Sequence, residues 1–253
     1  MKIAVLSDIH GNSWALESVL EDIRQKGVTR IYDLGDSLYG PLDPQGTFEL
    51  IIRNGIKSLS GNEDRLIVEN LDAGVMNQTL NFILSELSIN AIDWLKGLPQ
   101  SRQTDNEIYL CHGAPGIDTE YLIEKLNTEF VGIKDLKKLD ELLNGINERI
   151  VFCGHSHCQR FVETGRKIII NPGSVGCPAF DDDLPVPHKM ENFSPMARYC
   201  IFETGKNIKI DQMAVSYDFE KAAKRAEENN RYDWAKWIRT GTSYHVRHNN
   251  CKI

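Results

Sequence analysis

The chain opens on a short apolar run, Lys2–Ser7, that stops at a charged residue, the pattern of a buried strand. Between Ser13 and Lys26, Leu16, Leu20 and Ile23 recur at helical spacing and Gly27 follows as a stop, so a helix is expected there. Arg30–Leu34 reads as a second strand, Pro44 to Asn54 as a second helix closed by Gly55, and Lys57–Ser60 as a third strand. This rhythm predicts a parallel α/β core. The middle, from about 62 to 98, reads as helical, with spaced apolar residues in Asn77–Leu87 and Ile89–Lys96 until Pro99 stops them. Glu107–Cys111 follows as a strand and Asp135–Leu143 as an amphipathic helix. The short strands Ile150–Cys153, Arg160–Glu163, Lys167–Ile170, Arg198–Glu203 and Lys206–Val215 then predict a second sheet. Asp181–Pro195, acidic and proline-bearing, reads as an exposed loop, and Phe219–Arg239 as one closing helix. Without repeats or a linker, residues 1–253 read as a single domain.

Composition narrows the class. At 41% hydrophobic and 26% charged, the 253 residues fit a soluble globular chain and exclude a disordered or fibrous one. Lys and Arg number 29 against 36 Asp and Glu, so 29 − 36 = −7. An acidic chain gains little from counterion release, which makes a nucleic-acid partner unexpected. No apolar run reaches the roughly 18 residues of a membrane span, and the N-terminal run is too short for a signal peptide. Six scattered cysteines without a CxxC pair read as reduced thiols, which points to the cytoplasm.

The chemistry gathers in five Gly-bearing segments, each directly after an expected strand: Asp8-Ile9-His10-Gly11-Asn12, Gly35-Asp36-Ser37-Leu38-Tyr39-Gly40, Gly61-Asn62-Glu63-Asp64, His112-Gly113-Ala114 and Gly154-His155-Ser156-His157. Ligands of open α/β sheets collect outside the carboxyl ends of strands, where all five could converge. Imidazole with carboxylate suits divalent ions such as Mn, Fe or Zn. Alternation in an extended segment would put Asp8 and His10 on one side, and likewise His155 and His157. The count is enough for two ions sharing Asp36, the arrangement that clamps attacking and leaving oxygens in phosphoryl displacement. His188, His245 and His248 fall outside the segments and read as surface residues, while Cys111 and Cys153 read as core.

In this order the five segments resemble the calcineurin-like metallophosphoesterases, from Ile3 to about Val175. Leu34-Gly35-Asp36-Ser37-Leu38-Tyr39-Gly40-Pro41 and Asn171-Pro172-Gly173-Ser174-Val175-Gly176 resemble their small bacterial and archaeal branch, which includes phosphodiesterases and diadenosine tetraphosphate hydrolases. The resemblance implies an α/β fold, a four-layer α/β/β/α sandwich of two mixed sheets. It implies two divalent ions (Mn, Fe, Zn or Ni, with Mn favoured): Asp8, His10 and His157 on the first, Asp36 bridging, and Asn62, His112 and His155 on the second. A hydroxide between the ions would attack phosphorus in a small, nucleotide-like phosphodiester or phosphoanhydride. The candidate catalytic residues are Asn62, Asp36, His112 and Glu63. Glu63 stands where many relatives carry His. Candidate substrate contacts are Tyr39 and Phe180, as stacking partners for a base or aryl group, and Asn12, which would also brace the metal loop. Relatives often carry Gln-Pro-Arg-Asp where this chain has Cys177-Pro178-Ala179-Phe180-Asp181, so an expected polyphosphate-binding Arg is missing. The alternative is a non-catalytic, metal-dependent scaffold of the same fold; the intact ligand set favours the enzyme. The oligomeric state stays open, a homo-oligomer included.

Overall fold

The structure is a computed structural model that describes residues 1–71, 77–104, 107–127, 130–205 and 207–243. His245, His248 and Cys251 lie outside the described residues. In chain order the elements are β1 (Lys2–Leu6), α1 (Ser13–Gln25), β2 (Ile31–Asp33), α2 (Pro44–Arg53), β3 (Lys57–Ser58), α3 (Asn62–Glu69), α4 (Gln78–Glu86) and α5 (Ile89–Lys96). They continue with β4 (Ser101–Thr104), β5 (Ile108–Cys111), β6 (Glu124–Leu126), β7 (Val131–Ile133), α6 (Leu136–Leu142), β8 (Ile150–Phe152), β9 (Arg160–Glu163) and β10 (Ile168–Asn171). Last come β11 (Ala179–Asp182), β12 (His188–Glu191), β13 (Ala197–Glu203), β14 (Lys209–Val215), α7 (Phe219–Glu228) and α8 (Tyr232–Thr240).

Two five-stranded mixed sheets carry the fold, in the orders β14-β13-β1-β2-β3 and β4-β5-β8-β10-β9. Their centres are parallel: β1 with β2 and β2 with β3 in one, β5 with β8 and β8 with β10 in the other. Antiparallel strands extend the first sheet beyond β1 and the second at both edges. The expected second sheet is therefore corrected in one respect. β13 and β14 do not join β8, β9 and β10; β13 pairs antiparallel with β1, Ile3 opposite Phe202, and β14 extends that edge. Local pattern shows that a strand forms, not which edge it pairs with.

Period-two alternation sorts the side chains. Ile3 and Val5 of β1 join Ile108, Leu110, Ile150, Phe152, Ile168 and Ile170 in a cluster drawn from the two sheets, across which Phe152 meets Phe202 edge-on at 5.6 Å. Ala4 and Leu6 point the other way, among residues of α1, α2, α4, α5, α7 and α8. Tyr109 and Cys111 turn from the second sheet toward Leu139 and Leu143. This sorting supports the expected order helix, sheet, sheet, helix.

Two further expectations are corrected. The stretch read as an exposed loop holds the end of β11 and all of β12, paired as a hairpin, and His188 and Met190 within it are buried. The closing helix is two helices, because Asn229–Asn230 breaks it with Asn230 at φ 57. β4, β6 and β7, short and weakly patterned, were not anticipated. No helix among the described residues is long and apolar enough to cross a membrane.

Candidate metal centre

Every expected segment follows the carboxyl end of a parallel strand: Asp8 follows β1, Asp36 β2, Asn62 β3, His112 β5, and His155 and His157 β8. The loops pair beyond the strands. Asp8 N donates to Gly35 O at 3.0 Å, His10 N to Asp36 O at 2.9 Å and Gly154 N to His112 O at 2.7 Å. The loop after β10 closes the ring, with Ser174 Oγ donating to Asp8 O at 2.7 Å.

The side chains converge, though not by the route expected. Extended alternation does not align Asp8 with His10 or His155 with His157. Instead Asp8 (φ 54), His10 (φ 52), Asp36 (φ 53), His155 (φ 68) and His157 (φ 59) all adopt the left-handed conformation, and only two other non-glycine residues, Phe193 and Asn230, do so among the described residues. Each such residue costs on the order of 1 kcal/mol, and such strain concentrates at functional sites. Two glycines make room. Gly35 has φ 107, and a Cβ on Gly61 would lie 2.1 Å from Asp36 Oδ1.

Two groups of ligand atoms could each hold a metal ion: Asp8, His10 and His157, and Asp36, His112 and His155. Asn62 adds an oxygen to the second, its Oδ1 3.0 Å from His112 Nε2. Asp36 and Glu63 form a third such group with His10. The imidazoles are oriented for this. His10 Nδ1 is 2.8 Å from Tyr39 O, His112 Nδ1 3.1 Å from Leu34 O, His157 Nδ1 2.6 Å from Cys177 O and His155 Nε2 3.2 Å from Thr119 O. Each ring thus donates one N–H to a carbonyl, which fixes the tautomer and turns the other nitrogen inward, as outer partners of metal ligands do. Two observations on the first group fit a cation. His10 Nε2 and His157 Nε2 approach to 2.9 Å, and the buried Asp8 Oδ1 has no hydrogen-bond partner.

With protons in place of ions, the charges follow from burial and pairing. Burial would lower His10, but the Glu63 carboxylate, with Asp36 and Asp8, carries it up to about 9. Burial opposes His112 too, and Asp36 raises it to about 10. His155 falls to about 3 and His157 falls well below the ordinary imidazole value, both through burial first and then a cationic neighbour. Asp36 is held far below the usual carboxylate range by His112 against the cost of burial, whereas burial pushes Asp8 up to about 6. One proton therefore bridges His10 and His157 where an ion would sit.

The centre floors a cavity of about 200 Å³. His10, Asp36, Asn62, His155 and His157 line it, while Asp8 and His112 lie beneath. Tyr39, Phe180 and Glu63 also line it, Phe180 edge-on to His157 at 4.6 Å. Glu63 is part of that lining, with Oε2 3.2 Å from His10 Nδ1 and its side chain 27% exposed. Asn12 is corrected as a substrate contact: fully buried, it donates to Gly176 O and Tyr217 OH and accepts from Ala15 N, so only its bracing role stands. His188 is corrected as a surface residue; it is buried, 2.9 Å from Tyr121 OH.

Several contributors went unread in the sequence. Asp64 accepts from the amides of Ser37, Leu38 and Gly61, clamping the Asp36 loop to the start of α3. Glu124 accepts from Ser156 Oγ at 2.7 Å and so holds the His155–His157 turn. Tyr121 stacks on His155 at 4.5 Å, and Arg231, Trp234 and Trp237 wall the cavity from the far end of the chain. Only Asp64, inside a recognised segment, left a signal.

Comparison with known proteins adds an independent line. The family model for the calcineurin-like phosphoesterase superfamily domain matches residues 1–186. An uncharacterised protein of Methanocaldococcus jannaschii is 28% identical over 257 residues, covering 92% of this chain and 94% of that protein. Two crystal structures share the fold at a TM-score of 0.74, each covering 96% of this chain and 99% of the other. One is a metallophosphoesterase from Sphaerobacter thermophilus, 22% identical, and the other a hypothetical protein from Pyrococcus horikoshii, 19% identical.

Proposed function

The chain belongs to the calcineurin-like phosphoesterase superfamily, and from that premise we propose that it is a hydrolase of a small phosphodiester or phosphoanhydride working with two divalent ions, Mn by preference. The observation that carries this reading is the inward turn of four carbonyl-anchored imidazoles around Asp8 and Asp36. Asp8, His10 and His157 would hold one ion, Asn62, His112 and His155 the other, and Asp36 would serve both. When bound, such ions supply Lewis acidity and a water that ionises near neutral pH. The chain's own residues do the rest. Asn62 offers its amide N–H to a phosphoryl oxygen. The aromatic walls, Tyr121 on His155 and Phe180 on His157, exclude water and so strengthen the electrostatics within. Glu63, where a cationic donor could have stood, adds negative charge and favours monoanionic diesters and good leaving groups over dianionic alkyl monoesters.

The test is metal analysis together with turnover of aryl mono- and diesters and phosphoanhydrides. Asp36→Asn removes the shared charge and is expected to lose both metal and activity nearly completely. Two ions tightly kept in that variant, with turnover intact, would overturn the reading.

A further inference from the structure

The cavity extends past the metal ligands, and its far wall belongs to α8 and the turn before it, outside the 186 residues of the family match. Among the described residues, Arg231 is the only arginine or lysine in that lining. Its guanidinium is held in place. Nε and Nη2 donate to the two oxygens of Asp233 at 2.9 and 2.6 Å, Nη1 donates to Thr79 Oγ1, and Cζ stands 5.7 Å from the centre of the Trp234 ring. Three of five N–H donors are thereby spent on orientation, leaving one on each Nη. The Trp234 ring that carries Arg231 also meets His10 edge-on at 5.5 Å, so one indole adjoins both the guanidinium and a proposed metal ligand. Elsewhere the lining is acidic, with Glu63, Asp181 and Asp182. An anion reaching beyond the ions is therefore met by a cation in one direction only.

We propose that Arg231 is a specificity-determining residue that hydrogen-bonds a second phosphate of the substrate, joined to the phosphoryl group under attack, so that the site selects phosphoanhydrides. This rests on the phosphoesterase reading.

The test uses two unreactive probes, methylphosphonate and methylenediphosphonate, titrated calorimetrically into the Mn-loaded protein at fixed free Mn. The wild type should bind the diphosphonate roughly 10- to 100-fold tighter, as expected for a charge-assisted fork. Arg231→Met should abolish that preference, and Arg231→Lys, which keeps the charge without the fork, should retain only part of it. No preference in the wild type, or a preference unchanged in either variant, overturns the inference; an Arg231→Met that merely melts earlier while keeping the preference does so too. Turnover of a phosphoanhydride by the wild type is measured alongside. If turnover is absent while the Arg231-dependent preference remains, the hydrolase reading fails and the anion site stands.

Discussion

At the scale of single residues, the candidate centre depends on a side chain buried behind the cavity lining. Asp64 is fully buried, and burial with the nearby Asp36 raises it to about 7, yet its carboxylate accepts three amide N–H groups that shape the Asp36 loop. Asp64→Asn keeps the shape but turns an NH2 toward those donors. An unsatisfied buried group costs about 1–3 kcal/mol. The expected results are a Tm lower by several degrees and metal affinity weakened about 10- to 100-fold, read by thermal melts and metal titration. Affinity equal to wild type would show that the clamp does not tune the centre. Glu63, which lines the cavity itself, makes a different case. Its position against His10 predicts that aryl diesters outpace alkyl monoesters, and that Glu63→His narrows the ratio of their kcat/KM values by supplying a proton donor, help worth roughly 10²–10⁴-fold at best. An unchanged ratio would count against a role in selecting substrates.

At the scale of elements, strands deliver the loops and the junctions between loops set the geometry. The start of α3 is pressed against the loop after β2, with a Cβ on Gly61 only 2.1 Å from Asp36 Oδ1 and 2.5 Å from Asp36 N. Neither neighbour can retreat without moving the Asp36 carboxylate. Gly61→Ala is therefore expected to abolish most metal binding while the far-ultraviolet circular dichroism stays native. Wild-type metal content in that variant would contradict the packing. The sheet interface is a separate matter. Phe152 and Phe202 are fully buried where the sheets meet, and Phe152→Ala should cost about 3–5 kcal/mol of stability, measured by denaturant unfolding.

At the scale of the whole molecule, protons and the proposed ions would compete for one set of sites. His10 at about 9 and His112 at about 10 lie above the ordinary imidazole value of 6.5, so the metal-free fold keeps protons that the unfolded chain releases. Their stabilising contribution is complete below pH 6.5 and is lost as pH rises through 9 to 10. The metal-free protein should accordingly lose Tm between pH 7 and 10. Metal binding must expel the same protons, so affinity should climb over that range, and titration near pH 7.5 should release about two protons per molecule. Calorimetry in two buffers of different ionisation enthalpy reads that number; a buffer-independent heat would mean that the imidazoles are neutral beforehand. Turnover should fall on the acid side, where Asp8, raised to about 6, also takes up a proton.

The candidate ligands Asp8, His10, Asp36, Asn62, His112, His155 and His157 stood out in the sequence because each is a chemically committed residue in a glycine-bearing loop after an apolar run, and parallel α/β topology sends such loops to one rim. The helices were legible for the same local reason, their apolar spacing. Tertiary structure decided what depends on partners distant in the chain. It paired β13 with β1, because both faces of an apolar strand suit either sheet. It imposed the left-handed backbone that aims Asp8, His10 and Asp36, which no alternation rule contains. It buried Asn12 and His188, and it carried Arg231, Trp234 and Trp237 to the cavity. Spacing along the chain specifies neighbours three or four residues away; a wall built from residue 231 against residue 10 exists only once the core has packed.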